Sequence, residues 1–279
     1  MNKSALSRLL RNRSGLIGLA LVVLFLAAAV AGALSVSPYP PSEQHARDRM
    51  TGPSSHYLLG TDEFGRDQLS RVIRGAWNSL RIALLSVLLS SALGTFLGVL
   101  AGYIGGTADN LIMRFMDLFF AFPAILLAMA IVAALGPGAN NTILAISIVY
   151  TPIFARVARG PTLSVKGMEF VTAARAVGAR GGRILGRHIF PNITAPLIVQ
   201  ISLALSWAIL TEAGLSFLGL GAQPPQPSWG NMLSEGRSLL ELAPWMTVFP
   251  GLAIMLCVLG FNLLGDGLRD ILDPRLRST

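Results

Sequence analysis

The sequence predicts an all-α integral membrane protein with six transmembrane helices, and three observations carry that expectation. Of 279 residues, 53% are hydrophobic and only 13% are charged, about half the quarter usual in soluble domains. Five long, predominantly apolar stretches contain no lysine, arginine, aspartate or glutamate. Each is at least as long as the roughly 20 apolar residues that cross a bilayer. The 22 basic residues outnumber the 14 acids, and they fall unevenly between the connecting loops. This composition argues against a soluble enzyme and a disordered regulator, and the lone Cys257 leaves no internal disulfide.

The charge-free stretches run over 14–42, 82–108, 118–155, 188–211 and 242–265. The first has a basic start at Lys3, Arg8, Arg11 and Arg13, and small residues at Ala29, Ala31 and Ala33, as a signal peptide would. Its apolar part, 16–36, is longer than the usual signal core, so an uncleaved anchor is expected. The third stretch is nearly twice one crossing and is broken by Gly136-Pro137-Gly138, a punctuation that divides it into two short spans. Six spans result. The expected organisation is a tail at 1–13, a first span at 14–36, an outer segment at 37–79, a five-helix core at 80–266 and a tail at 267–279.

Orientation follows from the lysine and arginine count. With the N-terminus in the cytoplasm, fifteen basic residues fall inside, seven of them in the loop 156–187, and seven fall outside. Both termini are therefore expected in the cytoplasm. The basic excess reads as a topology signal rather than a nucleic-acid surface.

The residues do not assemble a catalytic centre. The only two lysines are Lys3 and Lys166, and Lys166 is followed by Gly167, which excludes a phosphate-binding Walker A loop. The glycines around Ser216 are spaced one residue too far apart for a nucleophile elbow. His45 and His56 share an outer loop with several acids. That makes a metal site conceivable, but no metal is assigned. Passage across the membrane is the expected work.

The loop 156–193 is the most informative segment. Phe170, Ala173, Ala174 and Val177 fall at i, i+3, i+4 and i+7, one face of a helix, and Gly178 suits the position just past its end. Two readings stay open on pattern alone. One is an interfacial helix whose arginines (Arg175, Arg180, Arg183 and Arg187) hold anionic lipid. The other is a docking helix in which Phe170 is the anchor for a soluble partner.

Thr172-Ala173-Ala174, then Gly178, and Pro191 at the start of the next span together resemble the EAA loop of ABC-transporter permeases. The family's glutamate position is held here by Thr172, which leaves Glu169, one turn earlier, as the nearest acid. Further segments are similar to the peptide and nickel permeases, and to the second, C-type subunit among them. These are Leu59-Gly60-Thr61-Asp62 with Gly65-Arg66-Asp67 and Ser70-Arg71, then 211–221, Pro227-Ser228-Trp229-Gly230, and 262–270 with Asp273-Pro274-Arg275.

The resemblance implies a type I ABC importer permease that imports dipeptides or oligopeptides, or nickel chelates or glutathione, from a bacterial inner membrane. It implies a coupling helix built on Glu169, Phe170, Thr172, Ala173, Ala174, Arg175 and Gly178. The implied partners are a related second permease, two ABC ATPase subunits or domains, and an extracytoplasmic binding protein. ATP and magnesium would sit on the ATPase, with no cofactor and no enzymatic site in this chain. An ion-gradient-driven carrier is the competing reading, but it would need acids at mid-membrane, where these spans have almost none.

Four smaller expectations complete the set. Gly94, Gly98, Gly102 and Gly106 form a close-packing seam or a hinge. Pro123 and Pro152 kink or end their helices. Glu212, near the outer end of the fifth span, serves either a salt bridge or helix-end contact, or the translocation path. Arg114 with Asp117, and Asp266 with Arg269, are spaced to pair along one helix.

Overall fold

A computed structural model describes residues 12–272. The first helix, α1 (Arg13–Ala33), starts at Asn12, whose side chain accepts from the Gly15 amide at 3.2 Å, satisfying one of the orphan donors of a helix start. A largely irregular segment then leads to α2 (Gln68–Ile104), capped by Asp67, whose carboxylate accepts from the Ser70 amide at 2.8 Å and its hydroxyl at 2.6 Å. At 37 residues α2 is about 55 Å long, well beyond the hydrocarbon core of about 30 Å. Its first turns occupy part of the 37–79 segment expected as a connection. Their polar residues, Gln68, Ser70, Arg71, Asn78 and Ser79, are buried within the protein, which hydropathy does not register.

Gly105 and Gly106, both at positive φ, separate α2 from α3 (Gly106–Phe120). Residues 121–123 separate α3 from α4 (Ala124–Leu135), and the two helices meet at a bend of 89°. Pro123 supplies no amide at that junction. The Gly136-Pro137-Gly138 turn leads to α5 (Ala139–Lys166), with Gly136 and Gly138 in the left-handed half of backbone space. Among the described residues five helices are long and apolar enough to cross a membrane, and a sixth span exists only if α3 and α4 count together. The third expected span is therefore two short helices at nearly a right angle. Pro152, by contrast, lies inside the unbroken α5.

A short α6 (Glu169–Ala176) is followed by α7 (Gly181–Phe217). A π turn over Leu185–Ile189 lies just before Pro191, a usual way to absorb a proline's missing hydrogen bond. Ser228 caps α8 (Trp229–Gly236), and α9 (Trp245–Leu272) closes the described chain. The most extensive helix contact is α2 on α5, followed by α9 on α1 and α7.

Small residues set those approaches. A β-carbon at Gly94 or Gly98 would collide with the α5 backbone at Thr151 or Ala155, and one at Gly102 would crowd Thr162. The seam expected of these glycines exists, but Gly106 has open space around it and takes no part. On the other side, Gly18 of α1 lies directly on the α9 backbone at Leu263 and Leu264.

Neither expected ion pair forms among the described residues. Asp117 binds Arg156 of α5 at 2.5 Å instead of Arg114. The guanidinium of Arg156 also lies 3.9 Å from the Phe120 ring centroid. A second bridge, Arg159 to Asp109 at 2.5 and 2.6 Å, fastens the start of α3 to α5. Among the described residues no ion pair joins Asp266 to Arg269, and neighbouring Asp270 accepts from Asn12 at 3.0 Å. For Asp117 a tertiary neighbour outcompetes the partner one turn away. The tail motif Asp273-Pro274-Arg275 and the basic residues Lys3, Arg8 and Arg11 lie outside the described residues.

Candidate functional site: a protruding helix and a braced outer cap

α6 hangs between the end of α5 and the start of α7. It is anchored by one residue, Val171, which is 0% exposed, while Phe170 and Val177 are 42% and 86% exposed. Glu169, Thr172, Ala173 and Arg175 are also exposed, and Ala174 is half-buried. The periodic face therefore points away from the bundle. The helix stops through a Schellman turn. The Ala179 amide donates to Ala174 and the Gly178 amide to Arg175, with Gly178 at φ 82°. Phe170 keeps one aromatic neighbour, His188, at 6.0 Å. Such a helix presents large apolar contact area with a narrow set of supports, which suits a ball seated in another protein's socket.

The opposite end of the molecule is tied down. Asp62 accepts from the amides of Phe64 and Arg66 at 2.9 Å and binds the Arg66 side chain at 2.5 Å. Glu235 of α8 binds Arg71 at 2.5 Å and Arg66 at 3.2 Å. Arg71 is almost fully buried, so this network holds the loop 59–67 and α8 together across the start of α2. Trp229, also fully buried, donates to the Val72 carbonyl at 3.1 Å and meets Phe25 of α1 edge-on at 5.6 Å. Trp245 donates to Thr61 at 2.9 Å. The motif residues noticed in the sequence thus converge, but Glu235, which joins them, carried no signal there.

Nearby, Tyr39, His45, His56 and Tyr57 form an aromatic group with ring centroids 4.7 to 6.4 Å apart. Tyr57 donates to Asp48 at 3.0 Å, and burial followed by that hydrogen bond pushes its hydroxyl up to about 12. Among the described residues no three potential ligands gather for a metal ion.

Glu212 is 0% exposed and accepts from Ser216 at 2.7 Å, with Ser79 beside it. No cation of the described residues pairs with it, so the salt-bridge reading finds no partner here, while its bond to Ser216 lies in the last turns of α7, where α2 and α8 pack over it.

A multi-pass membrane bundle with a protruding helix on one side and a braced cap on the other defines a permease. Residues 94–278 match the family described as binding-protein-dependent transport system inner membrane component, and residues 2–53 match the N-terminal transmembrane domain of oligopeptide transport permease C. The chain belongs to this family of ABC importer permeases.

It is 47% identical over 277 residues to the dipeptide transport system permease protein DppC of Alkalihalophilus pseudofirmus, covering 99% of this chain and 90% of the relative. It is 48% identical over 259 residues to the glutathione transport system permease protein GsiD of Pectobacterium atrosepticum, covering 92% and 86%. An inward-facing structure of the MetNI methionine ABC transporter shares the fold with a TM-score of 0.60 at 18% identity, over 72% of this chain and 96% of that one. The type I importer permease fold expected from the sequence is thus present. The chain is a transport component of the inner membrane that works with an ATPase and a substrate-binding protein.

Proposed function

We propose that the chain forms one half of the pathway of an ATP-driven importer of dipeptides or oligopeptides, and that α6 transmits the movement of the ATPase. The observation that carries this reading is α6 itself, with its exposed Phe170, Ala173 and Val177 held on a single buried residue. Glu169, Thr172, Ala174 and Arg175 flank that contact, and Gly178 ends it. The peptide cargo is supported by the relative named as a dipeptide permease. Glutathione is the second reading, favoured by the relative named for it.

In this account residues 1–13 and 267–279 lie in the cytoplasm with the coupling loop 156–193, and 37–79 and 220–245 face outward, as the basic-residue count favours. The first span is 14–36, and the five-helix core is 80–266. A related second permease completes the pathway, and two ATPase subunits or domains bind ATP and magnesium, so this chain has no ATPase site of its own. Nucleotide shifts the equilibrium only through its unequal affinity for the two states of the ATPase, and α6 passes that bias to α5 and α7. A translocation-path role for Glu212 requires α2, α7 and α8 to part, since together they enclose it here.

The test is the complete transporter reconstituted with its binding protein. Dipeptide-loaded binding protein is expected to stimulate ATP hydrolysis, and stimulation by glutathione alone would favour the second reading. Phe170→Glu combined with Ala173→Asp is expected to leave membrane insertion intact and to lower coupled transport about 30-fold, the loss of a central contact worth about 2 kcal/mol. Unchanged transport would reject α6 as the coupling element.

A further inference from the structure

An apolar groove of about 490 Å³ runs between α2 and α7 in the half of the bundle nearest α6. One wall carries Ala92, Phe96 and Val99, and the other Leu185, Phe190 and Ile198. Phe96 and Phe190 are 62% and 49% exposed, so the groove is open to its surroundings. It contains no charged residue.

Its rim next to α6 is different. One turn beyond Val99 on α2 and one turn before Leu185 on α7, the walls converge where Gly181 faces the Tyr103 hydroxyl. Two cations lie over the Tyr103 ring, Lys166 at 5.9 Å and Arg175 at 5.8 Å. Neither makes an ion pair among the described residues.

The lining and the rim select the occupant. From Ser91 to Leu100 the α2 wall rises about 14 Å, close to half the roughly 30 Å hydrocarbon thickness, so the groove runs about the depth of one leaflet. Its lining is apolar apart from the hydroxyls of Ser91, Thr95 and Thr194, which suits a hydrocarbon tail. Two unpaired cations at the mouth call for a negative charge on the same molecule.

We infer that this groove binds one anionic phospholipid of the leaflet bordering α6, with an acyl chain between α2 and α7 and the headgroup phosphate at Lys166 and Arg175. That leaflet is the cytoplasmic one on the orientation proposed above. The lipid would connect the coupling helix to the two helices that flank the groove. It would thereby make the transporter sensitive to the anionic content of the membrane.

The test uses the intact transporter in nanodiscs holding equal phosphatidylglycerol and phosphatidylcholine, followed by detergent extraction and mass spectrometry of retained lipid. Wild type is expected to retain phosphatidylglycerol preferentially. Lys166→Gln should reduce that preference about fivefold, the effect of one cation at an anionic headgroup. Ala92→Trp, which fills the groove, should abolish retention of either lipid. A photoreactive label on Phe96→Cys should give an adduct of lipid mass. Equal retention of both lipids, no effect of Lys166→Gln, or an adduct to another polypeptide would overturn the assignment. Labelling of α6 from the two sides of the membrane tests orientation separately, because lipid retention does not depend on which leaflet is cytoplasmic.

Discussion

Tyr57 illustrates how a single group responds to the cap around it. Its phenol is protonated and donates to Asp48 in the folded chain, and its pKa is raised from 10.0 to about 12. The folded state therefore holds this proton more tightly than the unfolded state. The resulting stabilisation is complete below pH 10 and fades as pH rises toward 12. An alkaline titration of phenolate absorbance should show a late-titrating tyrosine that disappears in Tyr57→Phe, and a normal midpoint for Tyr57 would contradict the contact. None of this was legible in the sequence, where Tyr57 carried no pattern. At the same scale, Asp117 was correctly seen as a group needing a cation, but Arg156 outcompetes Arg114 through a contact that only folding creates. Glu212 was correctly singled out as an apolar-run carboxylate, but its neighbours Ser79 and Ser216 come from packing that hydropathy does not encode.

Among the helices, the α2–α5 seam depends on missing side chains. Gly98→Val drives a branched side chain into the Ala155 carbonyl and should destabilise the bundle by about 1–3 kcal/mol. Gly160 of α5 has open space around its α-carbon, so Gly160→Ala should be neutral or stabilise by up to about 1 kcal/mol. Thermal unfolding of the purified transporter distinguishes them, and equal midpoints would remove the seam as a constraint. The four-residue glycine spacing revealed this contact in advance because close helix approach needs small residues wherever it occurs. The same logic placed Gly106 on the seam wrongly, since spacing cannot show that the chain turns at Gly105. The α6 face was legible for a similar reason, as the i, i+3, i+4, i+7 pattern put Phe170 and Val177 on one side. The bend between α3 and α4 was only half visible, with Pro123 marking the place and nothing marking the 89° angle.

For the molecule as a whole, Trp229 is the residue on which α1, α2 and α8 meet. Trp229→Ala should cost about 3–5 kcal/mol, lowering the unfolding temperature of the complete assembly and loosening α1. A shift no larger than that of an exposed substitution would show that the cap is not a structural unit. Five apolar stretches and one break were enough to state the class of fold, because lipid forces each crossing to be helical and apolar. The braced cap escaped that logic, since Arg66, Arg71 and Asp62 read as loop charges until Glu235 closes their network.

The unbroken length of α2 has one more consequence. Its first turns are clamped by Trp229 and Glu235, and its last turn presents Tyr103 to Lys166 and Arg175. A rod gripped at one tip cannot be swung at the other without leverage on the grip. In the orientation and coupling proposed above, docking at one tip and ATP hydrolysis at the other would be felt by the same stiff lever.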